Sequence, residues 1–256
     1  MIAAIIQARM TSTRLPSKIM MEVNNRPLLD YMIERVTFIK KIDQIIIATT
    51  TNREDDVIEE YAGKKGLSYY RGSEHDVLDR YYQTAKKFSV DHVMRITSDN
   101  TLIDPTICDN IIEVYFKAVA DYVHTDPTFA EGVDFAFLSY KALEKTWLEA
   151  NLKSEREHVT LYIHNHPELF NIVTVSNETD DSEYRFTVDE HEDFLVVKTL
   201  IENLYKENQQ VFLTNEIKHF LDNHPDVYKL NRNVVRNEGL VKSLKVDTLL
   251  PPRRKL

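Results

Sequence analysis

The chain contains 256 residues and carries a net charge of −9, from 32 basic and 41 acidic side chains. This length fits one large α/β domain or two small ones. The acidic excess argues against a general nucleic-acid surface, which needs an excess of cations, and a membrane span is excluded. Cys108 is the one cysteine, so the chain by itself forms neither a disulfide nor a thiolate zinc site. We expect a cytoplasmic protein, because the N-terminus lacks the pattern of a secretory signal.

Glycine is scarce and scattered, which excludes two common nucleotide-binding motifs. The five glycines are Gly63, Gly66, Gly72, Gly132 and Gly239. Their spacing matches neither the G-x-G-x-x-G of dinucleotide-binding folds nor the G-x-x-x-x-G-K-[ST] of a P-loop. Any phosphate site must therefore use side chains or a loop of another kind.

The first 120 residues alternate short apolar runs with segments of helical periodicity. The runs predict strands at 2–6, 45–48, 67–71 and 92–97, and the periodic segments predict helices at 27–40, around 57–61, at 76–88 and after Pro105. This alternation predicts an α/β fold, a mostly parallel sheet with helices on both faces. Ligands are expected at the carboxyl ends of the strands.

The regular alternation of strands and helices ends at Asp121. We predict an inserted α+β arm after it, within a single domain spanning 1–256. Residues 121–175 contain predicted strands at 122–124 and 135–138, helices at 140–149 and 157–165, and an extended segment at 170–175. A strand at 184–188 and helices at 192–206 and 215–223 follow. The tail, 251–256, is predicted to be disordered or to pack on a partner subunit.

The loop after the first strand is basic although the whole chain is acidic. It carries Arg9, Arg14 and Lys18, and the first 21 residues contain no acid. Arginine forks and a lysine ammonium can hold a polyphosphate without glycines. An ordinary solvated loop is the alternative interpretation.

Two carboxylates follow predicted strands. Asp99 comes just after the strand at 92–97, and Asp189 just after the strand at 184–188. If those strands are neighbours, the two carboxylates meet near Lys18, and a carboxylate pair with phosphate oxygens is a typical Mg²⁺ site. Alternatively, Asp99 forms an Asx turn with Asn100, and the acids that follow Asp189 serve a helix N-terminus.

Five blocks of the sequence resemble the sugar-acid cytidylyltransferases, and most closely their SpsF-like branch, named after spore-coat polysaccharide synthesis. Residues 6–18 read IQARMTSTRLPSK, similar to the opening Q-A-R-x-x-S-x-R-L-P-x-K loop of that family. The other blocks are RGSE with DVLDRYY from 71, RITSD with LIDP from 95, REHVT from 156, and FTVD with ED from 186. They occur in family order along almost the whole chain.

The resemblance implies a Rossmann-like nucleotide-diphospho-sugar transferase fold and a homodimer with an arm at 121–175. It also implies CTP as donor, Mg²⁺ as cofactor and an acidic sugar or phosphorylated acceptor. Arg14 and Lys18 match catalytic, phosphate-binding positions. The nucleotide-binding set is Gln7, Ala8, Arg9, Arg14, Lys18, Arg71, Ser73 and Asp76; the acceptor set is Arg95, Arg156 and His158; the magnesium ligands are Asp99 and Asp189.

The family usually has a proline two residues after each of the two predicted metal-binding Asp residues. This chain has Thr101 and His191 at those positions. The expected reaction is transfer of CMP from CTP to the acceptor with release of pyrophosphate. Two alternatives remain at this point: a glycosyltransferase that uses a finished nucleotide sugar, and a non-catalytic nucleotide-binding protein of a polysaccharide locus.

Overall fold

The computed structural model describes residues 1–207 and 211–250, so the predicted tail at 251–256 lies outside the described residues. Seven strands form one sheet and two very short ones form a ribbon. The strands are β1 Ile2–Gln7, β2 Glu22–Val23, β3 Arg26–Pro27, β4 Gln44–Thr50, β5 Ser68–Gly72, β6 His92–Thr97, β7 Tyr122–Thr125, β8 Ala136–Ser139 and β9 Ile172–Val175. The order in the large sheet is β5-β4-β1-β6-β8-β7-β9.

The first half of the sheet is parallel, as the alternating sequence pattern predicts. β1 lies between β4 and β6 and pairs in parallel with both, and β4 pairs in parallel with β5. The apolar run of β1 is accordingly buried on both faces. The carboxyl ends of these strands meet at one edge of the sheet.

The second half is mixed and is built by the predicted insertion. β8 runs antiparallel to β6 and β7, and β9 runs parallel to β7. Residues 121–175 thus extend the main sheet, and their role as a dimer arm stays a prediction.

Helices cover both faces of the sheet. They are α1 Leu28–Thr37, α2 Asp56–Lys65, α3 Val77–Lys87, α4 Pro105–Lys117, α5 Tyr140–Glu149, α6 Lys153–Glu157, α7 Leu161–Asn165, α8 His191–Leu204, α9 Thr214–Asn223, α10 Pro225–Tyr228 and α11 Glu238–Lys245. Apolar residues of α1, α2, α4, α8 and α9 pack on one face, and those of α3, α5 and α7 on the other. Among the described residues, no helix combines the length and apolar character needed to cross a membrane.

Three sequence predictions need correction. The predicted strand at 184–188 is wrong: the segment is extended but contributes only a bridge between Arg185 and Glu131. The predicted helix at 157–165 begins too early: α6 ends at Glu157, His158 leaves helical geometry at φ −104° and ψ 82°, and α7 begins only at Leu161. α10 and α11 are not among the predicted helices, and α11 reaches the functional site.

Candidate active site

A cleft of about 380 Å³ opens at the carboxyl ends of β1 and β6, where the sequence predicted ligand binding. Its walls come from the loop after β1, the end of β6, residues 131–134, the segment leading to α8, the end of α6 with the residue after it, and α11. The predicted site residues that line it are Gln7, Ala8, Arg9, Arg14, Lys18, Arg95, Asp99, His158 and Asp189. Most of the predicted site residues therefore line one cavity.

The basic loop is held in place by acids from outside it. Asp55 Oδ1 accepts from the backbone N–H of Met10 at 2.6 Å, and Glu74 accepts from Thr11 at 2.5 Å and from Arg9 at 3.4 Å. Asp55 follows β4 and Glu74 follows β5. These two acids fix the conformation of the loop, which contains no glycine.

The loop closes at Ser17, which positions Lys18. Ser17 donates from its backbone N–H to Met10 O at 2.9 Å, and its φ of 61° lies in the left-handed region that a serine rarely adopts. Such strain persists where the surrounding contacts impose it, and it clusters at functional sites. Lys18 follows at the start of a short 3-10 helix and is 8% exposed.

Lys18 joins the two predicted metal-binding carboxylates. Its Nζ lies 2.8 Å from Asp189 Oδ1 and 3.5 Å from Asp99 Oδ2. The carboxylates are therefore close together although ninety positions separate them in the chain. Arg14 adds a second cation on the same side, with Nη2 2.8 Å from Asp189 Oδ1.

Asp189 is positioned beside Asp99 by backbone hydrogen bonds of the extended segment that precedes it, and this segment is not a strand of the sheet. Val188 donates its N–H to Asp99 O at 2.9 Å, and Phe186 donates to Glu131 O at 2.6 Å. Gly132 permits this approach: its φ is 112°, and a Cβ there would lie 2.5 Å from the backbone nitrogen of Thr187.

A buried ion network fixes Asp189 from behind. Arg185 binds Asp193 through two bonds of 2.8 and 2.9 Å, contacts Glu131, and lies 3.3 Å from Asp189 Oδ2. Asp193 Oδ2 also accepts the backbone N–H groups of Asp189 and Glu190, each at 2.9 Å. Arg185 is thus a positioning residue, and Asp193 serves the helix N-terminus as the sequence suggested.

Burial acts to raise the pKa of the Asp189 carboxyl, but Lys18, Arg14 and Arg185 lower that pKa below its ordinary value. Asp189 is consequently ionised at neutral pH. An ionised carboxylate beside a second carboxylate can bind either these cationic side chains or a metal ion.

Several polar groups of the cleft have no partner, which is unusual for buried atoms. Within the described residues, buried side-chain atoms without a hydrogen bond include Gln7 Oε1, Arg80 Nε, Arg95 Nε and Asp99 Oδ1, and all four belong to residues that line the cleft. Such groups are expected where a ligand supplies the missing partner.

Asp99 and Asp189 are the residues best able to hold a cation here. The free Asp99 Oδ1 is an available oxygen ligand, and Asp189 is ionised. In the described part of the chain no three His, Cys, Asp or Glu residues are grouped for a metal. A cation would then rest on two carboxylates, substrate oxygens and water, which suits Mg²⁺.

Four predicted site residues do not line the cleft. Arg71 donates to Thr50 O at 2.8 Å and Asn52 O at 2.7 Å, so it ties the end of β4 to β5. Ser73 accepts from the backbone of Asp76 at 3.0 Å, where the chain turns into α3.

Asp76 caps α3, since its Oδ1 accepts the N–H of Asp79 at 2.9 Å. Arg156, 2% exposed, places two nitrogens 2.9 Å from the Asp76 carboxylate and a third on Trp147 O at 2.8 Å. Arg156 therefore binds the α3 cap and does not line the cleft in which the acceptor is expected.

Arg80 and α11 line the cleft although neither was among the predicted site residues. Arg80 is 1% exposed, donates to Ser73 O, and has a pKa lowered by burial. It lies at i+3 from the buried Val77, a spacing that could have identified it as an inward-facing cation. α11 carries Leu240, Val241 and Leu244 at helical spacing, a signal that could have identified it. Its cleft residues, with the one that precedes it, are Asn237, Glu238, Gly239, Leu240 and Lys242.

The chain was compared with known proteins. The model of a family described as cytidylyltransferase matches residues 3–241. Protein MJ1063 of Methanocaldococcus jannaschii is 38% identical over 91% of this chain and 95% of its own length. The spore coat polysaccharide biosynthesis protein SpsF of Bacillus subtilis is 33% identical over 77% of this chain and 84% of its own.

A solved structure agrees with these sequence matches. A cytidylyltransferase from Leptospira borgpetersenii superimposes with a TM-score of 0.83 at 33% identity, covering 91% of this chain and 98% of the other. The family match covers nearly the whole chain, and the cleft lies where such a fold binds ligands. The chain belongs to the cytidylyltransferase family and is a CTP-dependent nucleotidyltransferase.

Proposed function

We propose that this enzyme transfers CMP from CTP to a sugar acid or a related acceptor, with release of pyrophosphate, for the synthesis of a surface polysaccharide or other glycan. The observation that carries the proposal is the meeting of Lys18, Asp99 and Asp189 in one cleft, with Nζ 2.8 and 3.5 Å from the two carboxylates. This arrangement joins phosphate-binding and metal-binding chemistry at one point.

Arg14 and Lys18 bind the β- and γ-phosphates in this proposal. In the structure both form ion pairs with Asp189. A triphosphate gives them new anionic partners, and charge that develops on the leaving pyrophosphate falls beside them. Arg9, at 3.4 Å from Glu74 and at the cleft wall, adds a third cation for the nucleotide.

Asp99 and Asp189 would hold Mg²⁺, to which both give oxygen ligands. When bound, the ion would neutralise phosphate charge and polarise the α-phosphate. Arg185 and Asp193 contribute by keeping Asp189 in a fixed orientation. Because Lys18 and Arg14 turn to the phosphates, the two acids become available to the cation.

The nucleoside is proposed to lie against Gln7, Ala8 and Arg80. Gln7 Oε1 is an unpartnered acceptor and Arg80 Nε an unpartnered donor, and both residues line the cleft. A cytosine ring offers a 4-amino donor and a 2-carbonyl acceptor, which are the groups these two atoms lack. Arg71 and Ser73 act on the base only through the backbone that they hold.

Arg95 and His158, which also line the cleft, are proposed to face the acceptor. Arg95 Nε is buried without a partner, so an acidic group of the acceptor would satisfy it. A cytoplasmic homodimer with contacts from residues 121–175 stays a prediction.

The test is to incubate the purified protein with each NTP, Mg²⁺ and a panel of nonulosonic acids, keto-sugar acids and phosphorylated polyols, and to measure pyrophosphate. We expect release with CTP and at least one acceptor. Asp99→Asn and Asp189→Asn should abolish it, while Asp226→Asn, at an exposed position of α10, should not. Sugar transfer from a nucleotide sugar without pyrophosphate would indicate a glycosyltransferase, and inactivity with every mixture a binding protein.

A further inference from the structure

The C-terminal helix closes one wall of the cleft and is anchored to the α6 region. Asp247 accepts from the backbone N–H of Ser154 at 2.9 Å, and Leu250 donates to Asn151 O at 2.8 Å. These contacts hold α11 across the cleft, so that Ser243 lies beside the residues that follow α6.

Ser243 stands between an acid and an imidazole. Its Oγ lies 3.0 Å from Glu157 Oε2 and 3.0 Å from His158 Nε2. A serine hydroxyl has one hydrogen to donate, and a carboxylate can only accept. Ser243 therefore donates to Glu157 and accepts from His158, which places a proton on Nε2.

The other nitrogen of the ring is left as a proton acceptor. Burial, the largest influence, lowers the pKa of His158; Arg95 lowers it further, while Glu157 and Asp247 raise it, and the net shift is downward. The ring is thus neutral at pH 7 with its proton on Nε2. In the part of the chain that the structure describes, Nδ1 makes no hydrogen bond, and His158 lines the cleft.

We propose that His158 is the general base of the reaction, that Ser243 and Glu157 hold its tautomer and orientation, and that the acceptor nucleophile is a hydroxyl group. The inference rests on the proposed function and names its acceptor class. A phosphate acceptor is already anionic at neutral pH and has no proton that must be removed, whereas a sugar hydroxyl has one.

The step transfers one proton and exchanges one bond. The acceptor oxygen forms a bond to the α-phosphorus of CTP as its hydrogen passes to Nδ1 of His158. The bond from the α-phosphorus to the bridging oxygen breaks, and pyrophosphate leaves with that electron pair. The imidazolium that results carries protons on both nitrogens, and Glu157 stabilises it through Ser243.

The tautomer can be measured without knowing the acceptor. Long-range ¹H–¹⁵N correlation spectra of the full-length protein, assigned with His158→Gln, report which ring nitrogen is protonated. We expect Nε2–H in the wild type and a mixture of tautomers in Ser243→Ala. A wild-type Nδ1–H form overturns the inference, because Nδ1 would then have no lone pair with which to accept a proton.

Kinetics test the chemical role. His158→Gln should lower kcat for pyrophosphate release with a hydroxyl acceptor, or for the slow hydrolysis of CTP by water, by about 100-fold or more. Ser243→Ala should lower kcat by roughly tenfold, alter its acidic limb in the pH profile and leave the KM for CTP unchanged, and Ser243→Thr should restore it. The exposed His219 supplies the matched control, His219→Gln.

Two further results would overturn the inference: a kcat of His158→Gln within threefold of wild type, or turnover with phosphorylated acceptors attacking through their phosphate. Failure of the proposed function is distinguishable. It would appear as absence of calorimetric CTP binding and of pyrophosphate release in the wild type, whatever the His158 tautomer.

Discussion

The backbone N–H of Val188 donates to the carbonyl oxygen of Asp99 at 2.9 Å. This bond links the segment before α8 to the end of β6 and brings the next side chain, Asp189, beside Asp99. This segment is not a strand of the sheet, and its one β-type contact among the described residues is the isolated bridge between Arg185 and Glu131. The site therefore depends on one loop-to-strand contact and on the packing that permits it.

Lys18→Ala should lower kcat for CTP-dependent pyrophosphate release by about a hundredfold or more, because one charged donor beside the leaving group contributes roughly 3 kcal/mol. The protein should remain folded by circular dichroism. Lys64→Ala, a change at an exposed lysine of α2, is the matched control and should keep wild-type kcat. A near-wild-type rate for Lys18→Ala would remove it from this role.

Gly132→Ala should displace the segment that carries Asp189, since the new Cβ would lie 2.5 Å from Thr187 N and the residue would keep a φ of 112°. We expect a loss of about 2 kcal/mol or more in the free energy of unfolding by urea, and a reduced affinity for Mg²⁺. Gly63→Ala is the control, because nothing lies within 4 Å of a Cβ there. Equal stability of the two variants would contradict the packing argument.

Arg156→Ala should act on stability, because the buried guanidinium binds Asp76, the N-cap of α3. We expect a loss of about 2 kcal/mol or more in urea unfolding. The KM for the acceptor should change by less than threefold in the protein that remains folded. A specific rise of that KM with unchanged stability would instead restore the acceptor role that the sequence resemblance implied.

Acid should lower the stability of the folded protein through Asp189 and Asp193. Burial acts to raise the pKa of both carboxyls, but Lys18 lowers the pKa of Asp189 and Arg185 lowers that of Asp193, and both net shifts are downward. A lowered carboxyl pKa stabilises the fold above the unfolded value of about 3.8, and the contribution is lost as pH falls through the folded pKa. Urea unfolding at fixed pH should show stability constant from about pH 7 to 5 and falling below about pH 4.

Asp193→Asn is the variant for that experiment. The Asn amide has one acceptor oxygen, carries no charge and does not titrate, so it cannot replace the charged pair with Arg185. The loss of stability below pH 4 should therefore be smaller than in the wild type. An unchanged pH dependence would show that the Arg185 network contributes little to it.

Local patterns were sufficient for the parallel half of the fold. The apolar run at 2–6 and the segment at 92–97 predict strands that the structure contains, and the second matches β6 at both ends. The basic loop was evident from Arg9, Arg14 and Lys18 alone, because three cations without an acid stand out in an acidic chain.

The contacts that the site residues make could not be predicted from such local patterns. Arg71 and Arg156 belong to sequence blocks shared with the family, yet their guanidinium groups bind carbonyls and a helix cap, and only packing distinguishes that use from ligand binding. The extended stretch before Asp189 has the composition of a strand, yet within the described residues it forms only the isolated bridge between Arg185 and Glu131. α11 has apolar residues at helical spacing, Leu240, Val241 and Leu244, but none of its residues is buried, so only the structure shows that this helix lines the cleft.

The amino-acid sequence by itself determined the family, the buried strands and the chemical types of the site residues, because these follow from composition, period and motif order. The tertiary structure alone decided which of those residues meet, since contacts between positions as distant as Asp99 and Asp189, or His158 and Ser243, arise from the way loops pack on the sheet and leave no periodic trace along the chain.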